Sequence, residues 1–316
     1  MRRILATPTA RTLAQIVLSA GILWALLSDV DIDAIGRVLE SGSMWWGAAA
    51  LFVKTSALLV HETRLWLALP MPRPPIRTVI SLGLAAGAMN LALPARAGDV
   101  AAIAFMDREC NVPVPVGTAA VGVTSFLEAA IFAFFLLAVM GLGAAQWASL
   151  VGDASTASWW IGGGIIAGCG VLAVMAVLGR RWQNNQPHTN RIIELTKQTV
   201  VQTSSVVRNA RYLGIQTAAA AVQVVLVVTA FSLALIASGA SISDPIAASS
   251  MVLGIASLAS FVLPPTMAAG PAAASALVLP AFGASTSEAL AYAAAYWLVA
   301  HIPAMTMGIP ALFARR

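Results

Sequence analysis

Between Asn90 and Asp99 the chain reads Asn-Leu-Ala-Leu-Pro-Ala-Arg-Ala-Gly-Asp, which sets a guanidinium, Arg96, three residues from a carboxylate, Asp99, in otherwise apolar surroundings. A helix restarting near Gly98 would offer an anion its free backbone N–H groups and the positive end of its dipole. Arg96 can hold a phosphate through two parallel hydrogen bonds, with Asp99 capping the helix or orienting Arg96. The alternative is a self-contained Arg96–Asp99 ion pair that only ties the loop. Lys54 and His61 lie seven residues, or two turns, apart on one helical face, with Glu62 adjacent and Arg64 just beyond. Lys54 is a second cationic contact for a lipid phosphate, an ion-pair partner of Glu128, or a stem that snorkels to the interface. His61, Glu62 and Arg64 are expected at the cytoplasmic edge, solvated by water. Glu128, in the middle of an apolar run, is a proton-coupling group or a paired charge. His301 either joins it or hydrogen-bonds a neighbouring helix. An ionisable group at membrane depth costs about 2.5–3.5 kcal/mol on insertion scales, which makes each of these a functional candidate.

The surroundings of these groups set the class of protein. Of 316 residues, 59% are hydrophobic and 10% charged, with a mean hydropathy of +0.85. A soluble domain carries about 25% charged residues. Apolar runs recur to the end with no polar block large enough to fold alone, so one membrane domain over 1–316 is expected, with halves 1–150 and 151–316. The net charge of +5 resides in short basic clusters between apolar runs, a topology signal that argues against a nucleic-acid partner. Cys110 lies in a polar connection and Cys169 within an apolar run, so no disulfide is expected. Met1-Arg2-Arg3 precedes the run Leu13–Leu27 without a clear small-x-small cleavage site, so a retained first helix is expected over a signal peptide.

A spanning helix needs about 20 apolar residues. Thr12–Ser28, Met44–Ala68, Val114–Gly141, Ala157–Leu178, Ile215–Ser238 and Glu288–Phe313 qualify. Trp45, Trp46, Trp159, Trp160 and Trp182 mark run ends as interfacial anchors. Two further stretches, 79–106 and 246–282, are broken by Leu93–Asp99 and by Leu263–Gly270, the latter containing Pro264 and Gly270. Each arm is too short for a core about 30 Å thick, so both are expected to be re-entrant hairpins. With both entering and leaving on one side, the basic residues, the Arg180–Arg211 connection included, gather on the cytoplasmic face and Arg37 alone stays outside. The same count suits two short full spans in place of a hairpin. The unit of span, broken hairpin and span then occurs twice in opposite orientation, the pattern of a transporter whose site lies where the breaks meet. The expected fold is an all-α polytopic membrane protein, six spanning helices plus two re-entrant helical hairpins in an inverted repeat, with both termini cytoplasmic.

Asp31–Ser41 and Arg191–Tyr212 are expected to be surface helices, the longer one alternatively a partner-binding helix. Gly162-Gly163-Gly164 allows close helix packing and homo-oligomer contact. No P-loop, His-Glu-x-x-His, Cys-x-x-Cys or G-x-S-x-G motif occurs, which speaks against an ATP-driven pump or a metalloprotease; no cofactor is expected.

The run Arg64-Leu65-Trp66-Leu67, followed by Asn90 to Asp99 with Pro94, Arg96 and Gly98 in place, resembles the flippase-like membrane family that includes the transmembrane domain of lysylphosphatidylglycerol synthase. The break ending at Gly270 and the segment from Tyr296 to Gly308 resemble it too, so the similarity covers nearly the whole chain from about Ala14. The resemblance implies translocation of a lipid without ATP hydrolysis: an anionic phospholipid, an aminoacyl-phospholipid or a polyprenyl-linked glycolipid in a bacterial inner membrane. Relatives often carry an arginine after each hairpin where this chain has Ser125 and Trp297, and an aspartate where it has Glu128. These departures bear on the substrate's charge. No soluble aminoacyl-transfer domain follows, so the chain is not expected to make such a lipid. Asn90, Pro94, Arg96, Gly98, Asp99, Lys54, Arg64, Glu128, Pro264, Gly270 and His301 are the expected substrate contacts. The rival readings are a membrane-embedded enzyme acting on a lipid phosphate, with Asp99, Glu128 or His301 as acid or base, and a secondary transporter of a small anion.

Overall fold

The structure, a computed structural model, describes residue 24 and residues 32–92, 97–142, 169–171, 173–183, 191–259 and 268–314. Every regular element among them is helical. Chain order gives α1 (Ile32–Ser41), α2 (Met44–Ala68), α3 (Ile76–Ala92), α4 (Ala97–Cys110), α5 (Val114–Leu142), α6 (Arg191–Arg208), α7 (Ala210–Ala237), α8 (Pro245–Ala259), α9 (Ala269–Val278) with a 3₁₀ turn at Leu279–Phe282, and α10 (Thr286–Phe313). Residues 173–182 are helical too.

α5, α7 and α10 are long and apolar enough to cross a bilayer. α2, at 25 residues, has the length, but Lys54, His61, Glu62 and Arg64 make it more polar. The apolar faces turned outward, with Phe52 on α2, Phe134 on α5, Val222 and Val225 on α7 and Leu298 on α10, would be a liability in water and suit lipid. Met44, Trp45 and Trp46 stand exposed where α2 begins, as interfacial anchors would.

The second, third, fifth and sixth apolar runs match α2, α5, α7 and α10 to within a few residues. Thr12–Ser28, apart from residue 24, most of Ala157–Leu178 and the Gly162–Gly164 triplet lie outside the described residues. The stretch 79–106 resolves into α3 and α4 packed on each other, and 246–282 into α8 and α9 packed likewise. α3 rises about 25 Å and α4 about 21 Å at 1.5 Å per residue, still short of a core about 30 Å thick. Arg191–Tyr212 is not one helix. It ends at Arg208, and the Asn209 side chain accepts a hydrogen bond from the Tyr212 amide at 3.0 Å to cap α7. An asparagine that satisfies a first-turn N–H starts a new helix, a local effect that outweighs the heptad pattern running through it. α6 packs along α5 through one face, which buries Lys197, and leaves Ile192, Ile193 and Leu195 exposed on the other.

α2 and α7 form the most extensive helix pair. They run antiparallel: the Ser43 amide bonds the Ala237 carbonyl at one end, and the Gln216 amide nitrogen bonds the Arg64 carbonyl at 2.9 Å toward the other. α3 lies against α10, where Gly308 meets the Leu84 carbonyl so closely that a Cβ would not fit. The main core gathers Phe231, Leu235, Met251, Leu279 and Tyr292 from α7, α8, the 3₁₀ turn and α10.

Candidate functional site

A cavity of about 580 Å³ opens between these helices, and most of the ionisable groups singled out in the sequence face it. α2 contributes Lys54, His61 and Glu62. Asn90 comes from α3, Asp99 from α4, Glu128 from α5, Gln223 and Phe231 from α7, and Tyr296 and His301 from α10.

The α3–α4 junction is built around Asn90. Its side-chain oxygen accepts from the Gly98 amide at 2.6 Å, and its nitrogen donates to Asp99 at 2.9 Å. One amide thus caps the restarting helix and fixes the carboxylate beside it. α4 begins at Ala97, one residue before the expected restart. Gly98 is needed because a Cβ would strike the Ala86 carbonyl and Asn90. Pro94 and Arg96 lie outside the described residues, and so does Pro264. Gly270 is buried in α9, where a Cβ would come 3.3 Å from the Ala259 Cβ, so it serves close α8–α9 packing and does not line the cavity.

Glu128 does not pair with Lys54. Its carboxylate lies 3.1 Å from His61 Nδ1 and 3.6 Å from Arg64 Nη1. Residues three apart on a helix share a face, so His61 and Arg64 converge on one partner while Lys54 sits two turns away. The Lys54 ammonium instead lies over the Phe231 ring, 5.5 Å from its centroid. Phe231 stacks on Tyr296 at 4.2 Å, so the cation backs onto an aromatic wall.

Arg64 and Glu62 are not solvated at an edge. Arg64 is 0% exposed and Glu62 3%. Burying a guanidinium requires partners: Arg64 donates to the Gln223 side-chain oxygen and, at 2.8 Å, to the Thr124 carbonyl. Because Arg64 fixes the Gln223 oxygen, the Gln223 nitrogen faces His61 Nδ1 at 3.3 Å. A carboxylate only accepts, so His61 Nδ1–H donates to Glu128. His301 does not reach a neighbouring helix through Nδ1, which donates to the Trp297 carbonyl at 2.8 Å one turn back, with the ring stacked on Trp297.

Gln216, Gln223, Thr124 and Phe231 carry much of this geometry and were absent from the sequence-derived site. Their visible signal was two amide side chains seven residues apart inside the apolar run Ile215–Ser238. Among the described residues no group of three or more His, Cys, Asp or Glu could hold a metal ion.

Helices with apolar outer faces, set around a cavity that gathers Lys54, His61, Glu62, Asp99, Glu128 and His301, define a polytopic helical membrane protein. The chain belongs to the lysylphosphatidylglycerol synthase transmembrane-region family, which it matches over residues 12–308. A search of curated proteins finds no match.

Proposed function

We propose that the protein is a lipid translocase, not an enzyme, which moves an anionic or aminoacylated phospholipid, or a polyprenyl-linked glycolipid, across the bacterial inner membrane without ATP hydrolysis. The observation that carries this is the cavity: a cation on an aromatic wall, Lys54 over Phe231, lines the same chamber as the carboxylates of Glu62, Asp99 and Glu128, inside a bundle whose outside is apolar. Such a chamber suits a charged headgroup whose chains stay in lipid. The family's description names an aminoacylated phosphatidylglycerol, a lipid of this chemical class.

The bundle is six spans and two re-entrant hairpins, α3–α4 and α8–α9, arranged as an inverted repeat in one membrane domain with both termini cytoplasmic. Packing supports this. Exchanging α2 with α7, α3 with α8, α4 with α9 and α5 with α10 maps most helix contacts onto one another, and α2 and α7, equivalent under the exchange, run antiparallel as inversion requires. Alternating access then brings the headgroup past Asn90 and Asp99 at one hairpin tip and Lys54 at the cavity wall.

Lys54→Ala tests the reading in proteoliposomes carrying a headgroup-labelled phosphatidylglycerol. A charge-assisted contact is worth about 1.5–3 kcal/mol, so translocation should slow about tenfold or more. An unchanged rate in a well-folded variant would remove Lys54 from the site, and no wild-type movement of any of the three lipid classes would remove the function.

A further inference from the structure

Glu62 is the buried acid that headgroup binding leaves without a task. It is 3% exposed, it lines the cavity, and its Oε2 has no hydrogen-bond partner among the described residues. The carboxylate lies so close to Gly83 of α3 that a methyl group there would occupy its place. The neighbouring charges are engaged elsewhere. On α2, His61 and Arg64 turn to Glu128, and Lys54 lies over Phe231. α4 faces the cavity with Asp99, which accepts from Asn90; α5 with Glu128; α7 with the uncharged Gln223; α10 with His301, which donates to Trp297. α3 presents Gly83 to Glu62.

Burying a carboxylate as an anion with no donor costs several kcal/mol, whereas a proton on Oε2 removes the charge and needs no added room. With Gly83 closing off Oε2, the smallest occupant fits best. We propose that Glu62 is a proton-binding site coupled to translocation: a proton from one aqueous face binds Oε2 and leaves to the other face, one per cycle. This rests on the lipid-translocase reading. Protonation removes a negative charge from the cavity wall and tightens its hold on an anion; release of the proton loosens it, and the coupling is reciprocal.

Two measurements test this on the full chain in vesicles. Infrared difference spectra stepped in pH should contain a carboxylic-acid carbonyl band that titrates, survives in Glu128→Gln and is lost in Glu62→Gln. Persistence of every such band in Glu62→Gln overturns the proposal. Should that variant not fold, Glu62→Asp keeps an acid but draws it back from Gly83 and should shift the band; an unshifted band is equally fatal. In the second measurement, labelled phosphatidylglycerol is followed under an imposed pH gradient of about one unit, which can bias its leaflet distribution up to about tenfold per coupled proton, above protein-free vesicles. Wild type should follow the gradient and Glu62→Gln should not, whatever its rate without one. Equal responses overturn the coupling. A band lost in Glu62→Gln together with no wild-type lipid movement leaves the proton site standing and overturns the translocase reading instead.

Discussion

Arg64 holds three helices to a single point. From α2 it bonds Gln223 on α7 and the Thr124 carbonyl on α5, and it stands 3.6 Å from Glu128. Leaving a buried acceptor without its donor costs about 1–3 kcal/mol, so Arg64→Ala, which strips both the Gln223 oxygen and the Thr124 carbonyl of theirs, should lower unfolding stability in detergent by about 2–5 kcal/mol. A loss within about 1 kcal/mol, the size of an exposed pair, would mean that the network does not hold these helices. Arg64→Lys should recover little of it, since an ammonium cannot serve two acceptors in the fixed fork that Gln223 and Thr124 meet. Which residues were charged at membrane depth could be read from the sequence. Their pairing could not, because Arg64 and Gln223 are 159 positions apart and nothing local to either records that α2 and α7 lie side by side. The same gap left an ion pair with Glu128 as one of three readings of Lys54 and set Glu62 and Arg64 at a solvated edge.

At the scale of elements, hydropathy and chain punctuation located most helices, since a run of apolar residues bounded by proline, glycine or tryptophan has few other ways to satisfy its backbone in lipid. Helix breaks set by a single side chain were harder to see. Asn209 ends one helix and caps the next through one hydrogen bond, a feature that periodicity averages away. Close packing was equally hidden: Gly98 and Gly308 look alike in sequence to Gly122, but a Cβ at the first two would strike carbonyls of α3, whereas Gly122 has nothing within 4 Å. Overpacking typically costs about 1–3 kcal/mol, so Gly98→Ala and Gly308→Ala should both lower the melting temperature. Gly122→Ala should leave it unchanged or raise it, since an interior helical glycine is about 0.5–1 kcal/mol less favourable than alanine. Equal effects at all three positions would mean that backbone contact does not govern α3–α4 and α3–α10 packing.

For the whole molecule, the paired broken helices predict a pattern of access. With Cys110 and Cys169 replaced by serine, single cysteines at the exposed positions Arg77 and Arg108 should react with an impermeant maleimide from one side of the membrane, and those at Ser243 and Thr286 from the other. Labelling of Arg77→Cys and Arg108→Cys from opposite faces would make α3–α4 a single kinked span and end the inverted arrangement. The antiparallel α2–α7 pair has a different consequence. The most extensive packing in the bundle joins the first half of the chain to the second, with Ser43 bound to Ala237 and Arg64 to Gln216 at its two ends. Neither half keeps its principal neighbour when made alone. A gene cut within the codons for 143–168 should therefore yield two fragments that are each degraded when expressed singly, yet assemble and co-purify when made together, because the most extensive seam among the described helices is one that the peptide chain does not need to cross.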